Sequence, residues 1–233
     1  VPAAAFVVGH VGRLAPEKNL GYLTQAVALF LKTSPNARFL VVGGGPSEDE
    51  MKKTCAEQGV AGQLILAGKH TGRALHDAYC AMNVFVFASF SETQGMVLAE
   101  AMAAGLPAVA LDAAGVREVV RNGENGFLLP ARTPAKVFAR QIGRLQTDPA
   151  LRKKFVRGAR GVAAEFSQEH CAKLALEFYE RIRRATRRRR LLTDLNPLGT
   201  LLDRVAIEWN LLAQKAQSVI SALSTDHPVA KVS

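Results

Sequence analysis

The order of apolar and amphipathic segments constrains this chain more than any single motif does. Six short runs, residues 6–11, 38–42, 63–67, 84–88, 108–111 and 126–129, are rich in Val, Leu and Phe and read as strands. Between or after them, residues 20–32, 48–57, 73–82, 97–103, 117–121 and 135–146 carry helical patterns. Near-continuous apolar strands that alternate with helices predict an α/β fold, a parallel sheet covered by helices on both faces. Ligands of such sheets bind beyond the carboxyl ends of the strands. Arg13, Gly44, Gly68 and Glu92 all follow strands, so the sequence gathers its candidate site at that edge.

The run from Ser91 to Pro107 carries the clearest chemistry. Glu92 lies on the loop after a strand, and Glu100, eight positions later, falls inside the next helix. Gly95 forms the elbow between them. The backbone N–H groups of Gly95, Met96 and Val97 open that helix, where unpaired amides and the helix dipole favour an anion. With a rise of about 1.5 Å per residue, Glu100 sits within about two turns of the helix start. It therefore reaches a sugar hydroxyl on any ligand whose phosphates occupy that start. An acid at each end of a diphosphate site suggests a nucleotide-sugar. The lesser alternative for Glu92 is a loop acid used as a helix cap, and the triple glycine Gly43 to Gly45, taken alone, reads as a turn.

This run resembles the Glu-x7-Glu signature of the retaining nucleotide-sugar glycosyltransferases of the GT-B fold, family 4 (group 1). Gly12-Arg13-Leu14-Ala15-Pro16-Glu17-Lys18 is similar to that family's Gly-Arg-Leu-x-x-Glu-Lys element. The likeness continues through Val41 to Pro46, Gly68, Gly115 to Val120 and Asn122 to Leu128, covering residues 5 to 183. It implies one Rossmann-like half of a GT-B fold with a helical C-terminal extension. It further implies transfer of a hexose, with retention, from a UDP- or GDP-linked sugar, needing neither cofactor nor metal.

The resemblance also assigns roles. Arg13 and Lys18 hold the diphosphate and stabilise it as it leaves. Glu100 accepts hydrogen bonds from both ribose hydroxyls. Glu92 holds the donor sugar and does not attack carbon. Gly12, Gly44 and Gly45 let backbone approach the ligand, Gly95, Met96 and Val97 bind the distal phosphate, and Gly68, Lys69 and His70 occupy the base-binding loop. Such enzymes have two Rossmann-like domains, and this sequence begins where the second would. A missing N-terminal acceptor domain is therefore the expected partner, and the chain alone is expected to be incomplete for catalysis.

Charge divides the chain. Residues 151–190 hold thirteen Lys or Arg against four acids, which places +9 of the +10 net charge there. Seven arginines lie between Arg181 and Arg190 without interleaved aromatics, so nucleic acid is not expected as a partner. Ser167 reads as an N-cap before the apolar stripe Cys171, Leu174, Phe178 and Ile182. Beyond Asn196-Pro197, a second stripe runs from Leu198 through Leu202, Val205, Trp209 and Leu212 to Leu223. An anionic membrane surface met through residues 151–223 is one reading of this region, and a glycolipid product goes with it. A helix docked on the missing domain or on a second copy is the other. The sequence thus divides into a donor domain (1–165), a crossover helix (166–186) and a basic amphipathic tail (187–233). Cys55, Cys80 and Cys171 share no pairing or metal spacing. No run is long and apolar enough to span a bilayer. The expected location is cytoplasmic, or peripheral at the inner membrane face.

Overall fold

The computed structural model of the protein describes residues 4–195 and 205–210. Strands β1 (Phe6–Val11), β2 (Ala37–Val42), β3 (Leu64–Leu66), β4 (Val84–Phe87), β5 (Ala108–Leu111) and β6 (Gly126–Leu129) form one parallel sheet in the order β3-β2-β1-β4-β5-β6. The helices are α1 (Leu20–Leu31), α2 (Glu48–Glu57), α3 (Gly72–Cys80), α4 (Met96–Ala103), α5 (Ala114–Val119), α6 (Ala135–Thr147), α7 (Pro149–Glu165) and α8 (Gln168–Leu195). This is the Rossmann-like α/β sheet with a helical C-terminal region that the sequence predicts.

Alternation along each strand builds two cores. Val84 and Val86 join Val8, Val41 and Val109 on one face, with α1, α2 and α6 supplying Leu23, Met51, Phe138 and Ile142. Phe85 and Phe87 point the other way, packing with Leu98 of α4, Val116 of α5 and Val162 of α7. Phe39, Phe85, Phe138 and Phe155 are fully buried, each contributing about 1.5–3 kcal/mol relative to exposure. The inner strands β1, β2, β4 and β5 are buried on both faces, which is why they read as near-continuous apolar runs, whereas the edge strands β3 and β6 are only partly covered.

Two helices differ from their sequence-based bounds for identifiable reasons. Helix α5 begins at Ala114 instead of residue 117, because Gly115 lets its first turn press against the preceding loop: a Cβ there would stand 2.6 Å from the Thr93 carbonyl carbon. Helix α8 starts as predicted, with Ser167 Oγ accepting from the His170 N–H at 3.2 Å. It then continues through the arginine run to Leu195, since Arg and Leu favour helix and no Pro or Gly intervenes. The expected boundary at 186/187 therefore falls inside one helix, and the chain divides into two compact units between Cys171 and Ala172. Residues 205–210 are helical, with Val205 and Trp209 exposed. The remainder of the stripe expected from Leu198 to Leu223 lies outside the described residues.

Candidate functional site

Strands β1 and β4 are neighbours at the centre of the sheet, and the strand order runs outward from them in opposite directions. In sheets of this kind ligands bind beyond the carboxyl ends of the strands, next to such a switch in strand order. Their pairing is confined to Val8 with Val84 and Gly9 with Phe85. Past that point the ring of His10 spans the gap. Its Nδ1 is 3.1 Å from the Val86 carbonyl; because a carbonyl can only accept, Nδ1 carries the proton. The ring stacks on Phe85 and Phe87, and Nε2 has no partner among the described residues. Burial lowers the His10 pKa from 6.5 to about 4, opposed by the Val86 hydrogen bond and reinforced by the Lys18 charge.

The loops that leave β1 and β4 are clasped over this floor. Asn19 Nδ2 donates to the Ala88 carbonyl at 3.3 Å, and Ser89 and Ser91 donate to the Glu17 carbonyl at 3.3 and 3.4 Å. Asn19 adopts φ 54, a left-handed conformation its short amide tolerates, and so turns the chain from the 3-10 turn Pro16–Lys18 into α1. Lys18 Nζ reaches Glu92 Oε2 at 3.2 Å, with both groups largely shielded from solvent.

Glu92 performs a second task at the same time. Its Oε1 accepts from the N–H of Gly95, the residue that precedes α4, at 3.1 Å and so ties the loop to the helix start. Burial pushes the Glu92 carboxyl up, but the Gly95 hydrogen bond and the Lys18 ammonium together outweigh it and hold the group below its ordinary range. Loop tie and ion pair are thus one geometry. Of the three amides expected to face an anion, that of Gly95 is engaged by Glu92, whereas Met96 and Val97 belong to a first helical turn without intrahelical acceptors. Gly95 has φ 65, and a Cβ there would stand 2.7 Å from the Gly115 carbonyl oxygen. The elbow requires glycine on both counts.

A cavity of about 310 Å³ lies over the ends of β1 and β2, lined by Val11, Gly12, Arg13, Val42, Gly43, Gly44, Lys69 and His70. Backbone bonds fix its rim: Gly12 N–H to Val42 O at 3.0 Å, Gly43 N–H to Gly68 O at 2.8 Å and Leu14 N–H to Gly44 O at 3.1 Å. Gly44 faces Lys69, whose Cε would lie 3.3 Å from an added Cβ. Gly45 differs from its expected role of backbone approach to a ligand. The place of its Cβ is taken by the Leu14 carbonyl, 2.4 Å away, so it seats one loop on another.

Arg13 is exposed and pairs with Glu17. Glu100 is exposed on α4 and accepts a hydrogen bond from Tyr79. The predicted residues therefore fall into two groups. Gly12, Arg13, Gly44 and Lys69 surround the cavity, with Gly68 at its rim; Lys18, Glu92, Gly95, Met96, Val97 and Glu100 surround the start of α4. Cations and free amides suit an anion, and the two carboxylates suit hydroxyl groups. Sequence reasoning missed His10, Asn19 and Tyr79. A histidine inside an otherwise apolar strand was the available signal for His10; the other two act through contacts the sequence does not display.

Comparison with known proteins places this geometry. The family described as glycosyl transferases group 1 matches residues 2–162. The D-inositol 3-phosphate glycosyltransferase of Acidothermus cellulolyticus is 37% identical over 188 residues, 77% of this chain and 42% of that protein. The crystal structure of Anabaena HepE in complex with UDP and glucose is 29% identical with a TM-score of 0.61, over 70% of this chain and 44% of that one. The C-terminal domain of a glycosyl transferase group 1 family protein, LpcC, from Francisella tularensis shares the fold. Its TM-score is 0.62 at 24% identity, over 68% of this chain and 84% of that domain. The chain spans less than half the length of the curated relatives it matches.

Proposed function

This chain belongs to the group 1 glycosyltransferases, and we propose that it forms the donor-binding half of a retaining, metal-independent enzyme transferring a hexose from a UDP- or GDP-linked sugar. The observation that carries this reading is the edge formed by the carboxyl ends of the strands, where the cavity over β1 and β2 holds Arg13 and the neighbouring start of α4 gathers Lys18, Glu92, Glu100 and the first amides of the helix. The UDP and glucose held by Anabaena HepE support a UDP-linked donor as the first to try.

Each residue has a physical task in this reading. Negative charge accumulates on the diphosphate as its bond to the sugar breaks, and Arg13, Lys18 and the α4 amides stabilise it there. Glu100 accepts the ribose hydroxyls, and Glu92 the sugar hydroxyls. The acceptor hydroxyl approaches on the face from which the diphosphate departs and passes its proton to a leaving phosphate oxygen. The configuration is then retained without the two-carboxylate double displacement of glycosidases.

Two observations bear on the acceptor. On α8, Leu174, Phe178 and Ile182 are exposed at helical spacing beside the basic residues, which supports a lipid acceptor at an anionic, cytoplasmic membrane surface. The name of the relative from Acidothermus supports a small polyol phosphate instead. Sedimentation with anionic and neutral vesicles at two salt concentrations decides between them, because only the first reading requires salt-sensitive binding to anionic lipid. For the donor, titration calorimetry in a metal chelator should show UDP or GDP binding far more tightly than its nucleoside. Equal affinities would refute the donor reading.

A further inference from the structure

Tyr79 closes α3 with its ring in the core, 4% exposed and 6.0 Å from the ring of Phe85. Its hydroxyl leaves that core for the candidate site. It donates to Glu100 Oε2 at 2.9 Å, with the Val97 carbonyl at 3.5 Å beside it. The two residues stand 21 positions apart on separate helices. Burial, then the hydrogen bond and charge of Glu100, push the phenol well above its ordinary value, so it remains a proton donor. Glu100 is exposed, and its carboxylate has no other hydrogen-bond partner among the described residues.

A solvated glutamate on a helix samples several rotamers and loses that freedom when it binds. A carboxylate also offers two oxygens, and a vicinal diol is gripped by both only when their direction is set. Tyr79 sets it, because a buried ring has little freedom to follow a moving partner. We propose that Tyr79 is a positioning residue that makes the site selective for ribose. By holding Oε2 of Glu100 it directs the remaining lone pairs at adjacent 2′ and 3′ hydroxyls. The inference rests on the proposed reading of Glu100 as the ribose contact. It adds that pentose selectivity is a property of the pair, supplied half by α4 and half by α3. A merely structural Tyr79–Glu100 tie would steady the two helices and leave discrimination between pentoses untouched.

The test compares the intact chain with its Tyr79→Phe and Glu100→Gln variants by calorimetry. UDP and GDP are each set against the 2′-deoxy form, and inorganic pyrophosphate serves as a ribose-free probe. Phenylalanine keeps the ring, and a thermal melt verifies the fold. The original chain should prefer the ribonucleotide by about tenfold, the scale of one hydrogen bond to a charged group. Tyr79→Phe should reduce that preference to about twofold, as Glu100→Gln does, with pyrophosphate affinity unchanged. If the original chain discriminates and Tyr79→Phe discriminates equally well, the inference is overturned and the donor reading stands. If the original chain binds both pentoses alike, Glu100 is not a ribose contact and both fall. Uniform weakening of all ligands in Tyr79→Phe, pyrophosphate included, identifies a structural tie and also overturns it.

Discussion

Up to Cys171 the chain hides most of its large apolar side chains, Phe90 and Met96 excepted, and along α8 it displays them. Phe39, Phe85, Phe138 and Phe155 are almost wholly buried, whereas Leu174, Phe178 and Ile182 on one face of α8 are about half exposed. Both core clusters are complete by Phe166. The difference is one of self-sufficiency. The sheet covers its own faces, but a lone helix cannot bury its apolar stripe within itself and draws most of its stability from whatever that stripe meets. The proposed donor site accordingly lies in the unit that covers its own core, and the basic, half-apolar surface lies on the helix that leaves its stripe uncovered among the described residues.

The most severe test of that contrast is Gly43→Ala. A Cβ at this position would lie 1.8 Å from the Gly12 carbonyl oxygen, at φ 147. The substitution should cost about 3 kcal/mol or more in urea unfolding, and a loss under about 0.5 kcal/mol would mean the loop is as pliant as a surface element. His10 comes next. Its pKa is 6.5 in the unfolded chain and about 4 in the fold, so between these values the unfolded state binds more protons. Its contribution is complete above pH 6.5 and is lost as the pH falls towards 4, a difference of about 3 kcal/mol. His10→Phe should flatten that acid slope in denaturation curves taken from pH 7 to 4. An unchanged slope would place the titration elsewhere.

Smaller effects sharpen the division of labour. Arg13→Ala and Lys18→Ala should each weaken nucleoside diphosphate binding by about 1.5–3 kcal/mol, while Arg183→Ala and Arg184→Ala on α8 leave it unaltered. Equal losses from both sets would show that general positive charge, and not the site, governs affinity. Ending the chain after Cys171 should have the least effect, shifting unfolding free energy by no more than about 0.5 kcal/mol. A large destabilisation would show that α8 is part of the sheet unit's core.

Much of this architecture was legible in advance because a parallel sheet writes itself into sequence as buried runs. The bounds of β1, β5, β6 and α2 match those read from pattern alone. The expected boundary at 186/187 separated a crossover helix from a basic tail, whereas helix propensity carries α8 through the arginine run to Leu195. Within the site, residues that follow strands could be picked out, but their connections could not. Asn19 meets Ala88 across 69 positions and Lys18 meets Glu92 across 74. Those contacts exist only because β1 lies beside β4 in the sheet, and strand order is not printed in the periodicity of any one segment. The role of Gly45 was misjudged on the same ground: the atom nearest its missing side chain belongs to Leu14, on another loop.

Two of the three cations at the site already have an anionic companion. Arg13 is matched to Glu17 and Lys18 to Glu92, while Lys69 also lines the cavity, so at these two positions the site acts as its own counter-ion. On the proposed reading a diphosphate enters by exchange: it displaces a carboxylate for each of these two cations it claims, and what is measured is the preference of ammonium and guanidinium for phosphate over carboxylate. Dissolved salt screens the contact that is lost as well as the contact that is gained. On that reading donor affinity should respond to ionic strength less steeply than two unaccompanied cations would demand.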